Sequence, residues 1–546
     1  MLTDFNDMFN EQGPEAVKRE IDRGKPVQDE AVVADAVIPP DAKRPARDYA
    51  LTEMGAGELY ADRFRSEVAF VTGIGWLTWA KTHWQPDPDK IAVMARTKVV
   101  AHEFLAEAKW AVDHNDARAK DFAHFAIGAQ RLSFRRSVVE AAKSEPGIER
   151  KATELDRDPM LLNLRNGTLD LRTGKLRPHN PADLITRVAP YDYDPDAKCP
   201  RFEQFLIEVL PDAETIEFMW RFMGYCLTAS VEEEVFVFCY GAGANGKTKL
   251  AEVFKEMLGP YAVTAPMSLL MVQRHARHEC EMMPLMGARL ATFSEIPSGQ
   301  RFDQKALKSL NGGDEITARW ICGNPVTFRP THKTLILGNH LPDLQDTEEA
   351  MRRRCRLVPF ERIIPEVQRD PHLAEKLRVE LPGILAWAVR GCLAWQRDRL
   401  GQPAKVRTAT DDYMTECDRL VPFIEERCEE HPDNSVTRAA LRSAYEEWAE
   451  DRNRTRHERP LSNRDFARKL RLRGITDTSV RVPGKASPVD GWKGIALLDC
   501  SVVGSCREHL PKVSSNSSSR ERPAHVTTSP YGAGPTDGED DGEVLF

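Results

Sequence analysis

No run in the chain approaches the roughly twenty consecutive apolar residues that a membrane-spanning helix needs, so no membrane partner is expected. The opening, Met1-Leu-Thr-Asp-Phe, has neither the basic start nor the apolar core of a secretory signal. No C-x-x-C pair occurs among the 11 cysteines, which are scattered singly. That argues against a disulfide framework and for free thiols in a reducing, cytoplasmic setting. An excess of positive charge is also missing: the net charge is −8, so nothing draws the whole chain to nucleic acid and any such binding must use local basic surfaces. A metal cluster is equally hard to assemble. His275, His278 and Cys280 are close in sequence, but no fourth ligand follows at a suitable spacing.

What is present is the composition of a folded, soluble protein, with 41% hydrophobic and 29% charged residues. At 546 residues it is too long for one core, and roughly three or four units are expected. Its most informative stretch begins at Val235-Phe-Val-Phe-Cys-Tyr, an apolar run of β-branched and aromatic residues that predicts a buried strand. Gly241-Ala242-Gly243-Ala244-Asn245-Gly246-Lys247-Thr248-Lys249 follows, with the full G-x-x-x-x-G-K-[ST] spacing. Beyond it Leu250, Val253, Phe254 and Met257 keep helical spacing as far as a stop at Gly259-Pro260. Strand, glycine loop and helix in that order form a cradle for a triphosphate. Backbone N–H groups and the helix N-terminus face the phosphates, Lys247 reaches the outer ones, and the Thr248 hydroxyl suits Mg²⁺. ATP with Mg²⁺ is the expected cofactor pair.

Later segments carry what a hydrolase needs beside such a loop. Gly287-Ala-Arg-Leu-Ala-Thr-Phe-Ser-Glu295 reads as a strand ending in a carboxylate, roughly fifty residues beyond Lys247. Glu295 there could orient Mg²⁺ and polarise water. Lys333-Thr-Leu-Ile-Leu-Gly-Asn339 is another buried strand, ending in an amide suited to holding water near a terminal phosphate. Arg353 and Arg354 follow, cations of the kind that neutralise a transferring phosphoryl group across a subunit boundary.

The rest of the chain supports these parts. Residues 1–50 read as a flexible arm and 501–546, rich in Ser, Gly and Asp, as a disordered tail. Between 51 and 86 the aromatics Tyr60, Phe64, Phe70, Trp76, Trp79 and Trp84 cluster around a small β element; a core is favoured over base stacking. Two or three helices are predicted over 91–142 and a hairpin or meander over 161–176. Pro371–Asp398 reads as two helices interrupted at Pro382-Gly383. From Leu420 the order is helix, helix, helix, then β-ribbon, with Ser462 and Asp465 opening the third helix as a capping box. That helix carries Arg464, Arg468, Lys469 and Arg471, preceded by Arg452, Arg454, Arg456 and Arg459, a local basic face suited to phosphates.

With these residues laid out, the chain resembles the phage/plasmid primase–helicase family, superfamily 3 helicases with a poxvirus-type NTPase-associated segment. The resemblance runs from about Thr52 to Leu498 through Asn163-Leu-Arg-Asn-Gly-Thr-Leu-Asp170, Tyr193-to-Pro200, the phosphate loop, Glu295, Gly312-Gly-Asp314-to-Arg319, Leu337-Gly-Asn339 and Arg353-Arg354. It implies an α/β chain: an α+β N-terminal region over 51–200, a P-loop AAA+-like helicase core over 201–400, and a winged-helix-like DNA-binding domain over 415–500. It further implies a homo-oligomeric ring, usually a hexamer, moving on single-stranded and forked DNA in the cytoplasm of a bacterial host. Lys247 and Thr248 would hold triphosphate and magnesium, Glu295 would activate water, Asn339 would sense the phosphate, and Arg353 or Arg354 would complete a neighbour's site. Lys308 and Arg319 fall where such rings place pore-facing cations, though either could contact nucleotide or pair with Asp314. Two departures stand out. Ser294 precedes Glu295 where many members carry a second acid, and the residues before Leu51 are too few for a primase domain, so a separate primase is expected as partner. Two other readings are a small-molecule kinase or packaging ATPase, and an origin-binding factor whose ATPase only controls oligomerisation.

Overall fold

The computed structural model describes residues 44–210, 212–273, 278–296, 300–319, 325–342, 344, 349–418, 420–453 and 460–498; for 451–453 it describes the backbone alone. The expected N-terminal arm (apart from 44–50), the C-terminal tail, His275 and the arginines at 454, 456 and 459 lie outside these residues, as does the side chain of Arg452. The chain divides into two compact units, Met1–Val421 and Pro422–Phe546.

The first unit opens with a helical layer. Helix α1 (Glu53–Phe64) is followed by a small sheet, β1 (Val68–Val71), β2 (Gly75–Trp79) and β3 (Trp84–Pro86), and then by α2 (Ile91–Asp113), α3 (Ala119–Ala129) and α4 (Leu132–Ala142). Strand β4 (Glu149–Arg150) returns parallel to β1. Both carboxylate oxygens of Asp87 cap α2, accepting from Ile91 N and Val93 N at 2.9 Å each. Tyr60, Phe64, Trp76, Phe104 and Phe122 fill the core of this layer, so most of the aromatic cluster is packing. That core ends near Ile148.

The meander β5 (Leu161–Leu164), β6 (Gly167–Asp170) and β7 (Lys175–Arg177) is antiparallel, as its turn signals predict. Its Leu162, Leu164, Leu169 and Leu171 pack into the core that follows rather than the one before. The meander therefore packs with the later core although it lies inside the expected N-terminal region of 51–200.

The second core is built on a five-stranded sheet in the order β14-β8-β13-β10-β9, with every neighbouring pair parallel. The strands are β8 (Phe236–Tyr240), β9 (Ala262–Thr264), β10 (Leu290–Phe293), β13 (Lys333–Gly338) and β14 (Cys355–Pro359). Side chains of β8 alternate between the two faces. Val237 and Cys239 join α5 (Pro200–Val209), α6 (Ala213–Cys226) and α7 (Lys247–Leu258) on one side; Phe236 and Phe238 join Phe302, Ile336 and Tyr413 on the other. A parallel sheet covered on both faces needs continuous apolar strands, which is the pattern at 235–240 and 333–338. Helix α8 (Gln304–Asn311) precedes an antiparallel hairpin, β11 (Ile316–Arg319) with β12 (Pro325–Phe328). A short helix, α9 (Glu349–Arg352), leads into β14.

The two helices expected over 371–398 are α10 (Leu373–Val379) and α11 (Leu381–Asp398). The break is at Glu380, earlier than Pro382-Gly383, because Pro382 sits in the first turn of α11, where its missing N–H costs nothing. Helix α12 (Ala404–Glu416) closes the unit.

The second unit contains α13 (Val421–Arg427), β15 (Cys428–Thr437), α14 (Arg438–Asn453), α15 (Asn463–Leu472), β16 (Thr476–Val480) and β17 (Val489–Leu497). The reading of three helices before any strand is corrected here: β15 lies between the first two and pairs antiparallel with β17, giving a β15-β17-β16 sheet. Cys428–Thr437 contains Pro432 and a run of acids and lacks apolar alternation, so only pairing with β17 makes it a strand. Ser462 caps α15 as predicted, its Oγ accepting from Asp465 N at 3.1 Å.

Candidate functional site

Strand β8 ends at Tyr240, and the glycine loop carries the chain from the C-terminal edge of the sheet into α7. Two glycines are required by space as well as by conformation. A Cβ on Gly241 would lie 2.3 Å from Phe360 O, and one on Gly246 would lie 2.4 Å from Val209 Cγ1 while holding φ at +86°. The loop is pinned from beneath by Asn245, whose Nδ2 donates to Phe360 O at 2.9 Å.

Lys247 is the first residue of α7 and is 5% exposed. Its Nζ donates to Gly241 O at 2.7 Å, Asn245 Oδ1 at 2.9 Å, Ala242 O at 3.1 Å and Asn339 Oδ1 at 3.1 Å. Burial holds its pKa below the usual lysine value. The ammonium is thus surrounded by oxygen acceptors of which none is a carboxylate, so no acid bonded to it competes with an anion entering the loop. Thr248 beside it is exposed, and Lys249 turns to pair with Glu252 at 2.7 Å.

Strand β13 lies between β8 and β10, so the loop, Asn339 and Glu295 issue from three adjacent strand ends. Glu295 follows β10 with φ at +63°, a left-handed conformation that a non-glycine residue adopts at a cost of about 1 kcal/mol or more. Lys247, Thr248, Ser294, Glu295 and Asn339 line one cavity of about 400 Å³, together with Glu252, Lys255, Thr264 and His340. The structure therefore brings together the four groups that the sequence left scattered over ninety residues. Crevices outside the carboxyl ends of parallel strands are where open α/β sheets bind ligands. A helix N-terminus, a buried ammonium and an exposed hydroxyl suit a phosphate chain with a divalent cation, and a carboxylate and an amide face them. Lys255 and His340 were missed in the sequence. Lys255 is two helical turns beyond Thr248 on α7, so its place in the wall is legible from spacing once Thr248 is there.

Arg353 and Arg354 lie between α9 and β14, and the structure separates them. Arg354 is side-chain buried to 13% exposure, ion-paired with Glu234, and donates to Ala350 O at 3.2 Å. Arg353 is exposed and has no ion pair among the described residues. Neither lines the cavity of its own chain. Lys308 is half-buried on α8, and Arg319 on β11 pairs with Glu279 at 3.2 Å rather than with Asp314.

On α15 the basic face is narrower than the sequence suggests. Lys469 is 7% exposed and faces the core beside Phe466 and Leu470, because positions three and four apart share a face. Arg471 pairs with Asp477 at 2.9 Å and lies over Trp492 at 5.4 Å; Arg468 pairs with Asp465 at 3.5 Å. Arg464 is exposed, without an ion pair among the described residues.

Comparison with known proteins gives this architecture a kinship. Residues 57–211 match the family described as D5 N terminal like, and residues 239–354, which contain the cavity, match a family of unknown function (DUF5906). The chain is thus similar to the D5-like primase–helicases over its N-terminal part. It is 28% identical over 293 residues to "Putative helicase L207/L206" of Acanthamoeba polyphaga mimivirus, covering 50% of this chain and 30% of that protein. It is 27% identical over 432 residues to "Putative helicase 022R" of Frog virus 3 (isolate Goorha), covering 63% of this chain and 43% of that one. "Putative primase C962R" of African swine fever virus (isolate Warthog/Namibia/Wart80/1980) is 23% identical over 344 residues, 58% of this chain and 36% of that protein. The chain thus spans less than half the length of each of these relatives. Among solved structures, the C-terminal region of NrS-1 (residues 305–718) aligns with 59% of this chain and 88% of its own at 12% identity, with a TM-score of 0.38. Among the described residues no helix is long and apolar enough to cross a membrane.

Proposed function

We propose that this chain is an ATP-dependent DNA helicase motor of replication, with a P-loop AAA+-like core that hydrolyses ATP at the cavity between the glycine loop and the ends of β10 and β13. The observation that carries the reading is the convergence of Lys247, Thr248, Glu295 and Asn339 on that one cavity. Binding of ATP with Mg²⁺ falls to the loop N–H groups, Lys247 and Thr248; Mg²⁺ supplies charge neutralisation at the phosphates. Glu295 serves as the base that takes a proton from water, and Asn339 orients that water. The helicase and primase names of the relatives support a place in DNA replication.

The same reading makes the active form a ring of copies, six in the superfamily 3 pattern, encircling single-stranded DNA at a fork. An arginine of one copy then reaches the terminal phosphate held by the next. Arg353 fits that part better than Arg354, because a guanidinium tied to Glu234 in its own chain is not free to cross an interface. The second unit, with three helices and a three-stranded antiparallel sheet among its described residues, is read as winged-helix-like, with Arg464 as its leading phosphate contact and Arg468 and Arg471 as lesser ones. Lys308 and Arg319 remain candidates for the pore. A host-cytoplasmic setting for a phage, prophage or plasmid replicon completes the proposal.

The test is a fork-unwinding assay alongside ATP hydrolysis. Lys247→Ala should abolish both while the chain still binds DNA. DNA binding with ATP-dependent oligomerisation but no strand separation would instead favour an initiator whose ATPase only controls assembly.

A further inference from the structure

Away from the cavity just described, the helical layer of the first unit holds a second recess, of about 630 Å³. Its walls are one face each of two helices. Ile91, Met94 and Lys98 repeat at helical spacing along α2, and Leu132, Arg135 and Arg136 face them from α4.

Two properties coincide there. The first is apolar exposure: Ile91 is 72% and Leu132 52% exposed, although Val93 and Val100 on α2 and Val138 on α4 are buried. The second is unbalanced positive charge. Lys90, Lys98 and Arg136 are exposed with no ion pair among the described residues, and Arg135 donates only to neutral acceptors, Thr97 Oγ1 at 2.8 Å and Met94 O at 2.9 Å. The acids at the rim are Asp89 and Glu140, and Glu140 is already engaged by Lys143 at 2.6 Å. The neighbouring His102 is held below the usual histidine pKa by burial first, and then by Lys98 and Arg135, which is the mark of a local field with no anion to offset it.

We propose that this groove docks a short amphipathic helix of a partner protein, one that carries aliphatic side chains on one face with carboxylates beside them. A groove between two helices accepts a third through anchors one turn apart, and the flanking cations fix its register. A phosphodiester backbone would satisfy the lysines and arginines but would leave Ile91 and Leu132 in water, so a nucleic acid uses only half of what is displayed. The proposal does not depend on the nucleotide reading, because no residue of the groove belongs to that cavity.

The experiment uses the full chain and three labelled probes in fluorescence anisotropy: a Leu/Glu peptide with leucines at helical spacing, the same composition scrambled, and oligothymidylate. The patterned peptide should bind and the scrambled one should not. The pair Lys98→Glu with Arg136→Glu should weaken the patterned peptide about tenfold or more. The pair Ile91→Asn with Leu132→Asn should weaken it to a similar degree, and either pair suffices if the other perturbs folding, which a thermal melt reveals. Lys247→Ala should bind the peptide as the parent does. Equal binding of the scrambled peptide, or indifference to both pairs, overturns the proposal. So does loss of oligothymidylate binding alone on charge reversal, which would make the groove a nucleic-acid contact. A self-association abolished by Ile91→Asn and unaffected by peptide would overturn it too, making a second copy the occupant.

Discussion

Lys247 Nζ donates to Asn339 Oδ1 at 3.1 Å, linking the first residue of the helix after the glycine loop to the end of the neighbouring strand. The bond sets the ammonium and the amide side by side at the mouth of the same cavity, so that an anion displacing one must meet the other. In the proposed reading, this contact puts Asn339 beside the outer end of a bound phosphate chain.

Asn339→Ala should therefore separate binding from chemistry. Nucleotide affinity is expected to stay within a few-fold, since Lys247 keeps three other acceptors that hold it in place. Hydrolysis should fall about a hundredfold or more, the scale of losing a group that acts only in the transition state. Equilibrium binding of a fluorescent ATP analogue, set against single-turnover hydrolysis, checks the split.

The two arginines should behave as opposites. Arg354→Ala removes the partner of Glu234 from a nearly buried site and should lower thermal stability, by about 1–2 kcal/mol given that Glu234 itself is part-exposed. Arg353→Ala should leave the melting temperature unchanged and lower hydrolysis. Mixing Arg353→Ala chains with Lys247→Ala chains should restore part of the activity, because one supplies an intact loop and the other the missing cation. No recovery on mixing would count against a site shared by two copies.

Gly246→Ala tests the loop. The new methyl would meet Val209 Cγ1 at 2.4 Å with φ at +86°, so the loop must shift or α5 must retreat. The expected cost is about 1–2 kcal/mol in stability, with loss of nucleotide binding; calorimetry and a binding titration measure the two.

Lys333 predicts a pH dependence. It is 2% exposed at the start of β13, donates to the carbonyls of Thr228, Ser230 and Thr331, and burial lowers its pKa to about 7 from 10.5. Its folded value lies below its unfolded one, so between about pH 7 and 10.5 the unfolded chain binds the extra proton. Stability should therefore rise with pH through that window; below it the cost of burying the ammonium is fully present and adds no further pH dependence. Thermal melts at pH 7 and pH 9.5 should show the rise in the parent and a flatter response in Lys333→Met.

Ser462→Ala should cost about 1 kcal/mol, the usual price of removing a helix cap. Calorimetric melts of the parent and variant chains read it.

Much of the fold could be read in advance because it is local. The apolar run at 235–240, the stop at Gly259-Pro260, the helical character of 91–142 and the antiparallel turns of 161–176 are each announced by spacing or turn residues inside the element itself. Strand β15 was not, since Cys428–Thr437 has no pattern of its own and is a strand only because β17 lies alongside. Lys469 was placed on the wrong side of its helix for a related reason. Charge suggests the surface, but Phe466 and Leu470 fix the inward face and Lys469 falls between them.

The linear order of residues determined the kinds of chemistry on offer: a glycine loop with its lysine and threonine, a carboxylate and an amide at strand ends, paired arginines, and the family they resemble. Tertiary structure alone decided which of these meet. Placing β13 between β8 and β10 is a matter of sheet order, and sheet order is set by burial and hydrogen bonding between segments far apart in the chain. The same long-range packing ties Arg354 to Glu234, leaves Arg353 exposed, and gathers four cations and two exposed aliphatics along one groove, none of which any stretch of sequence records.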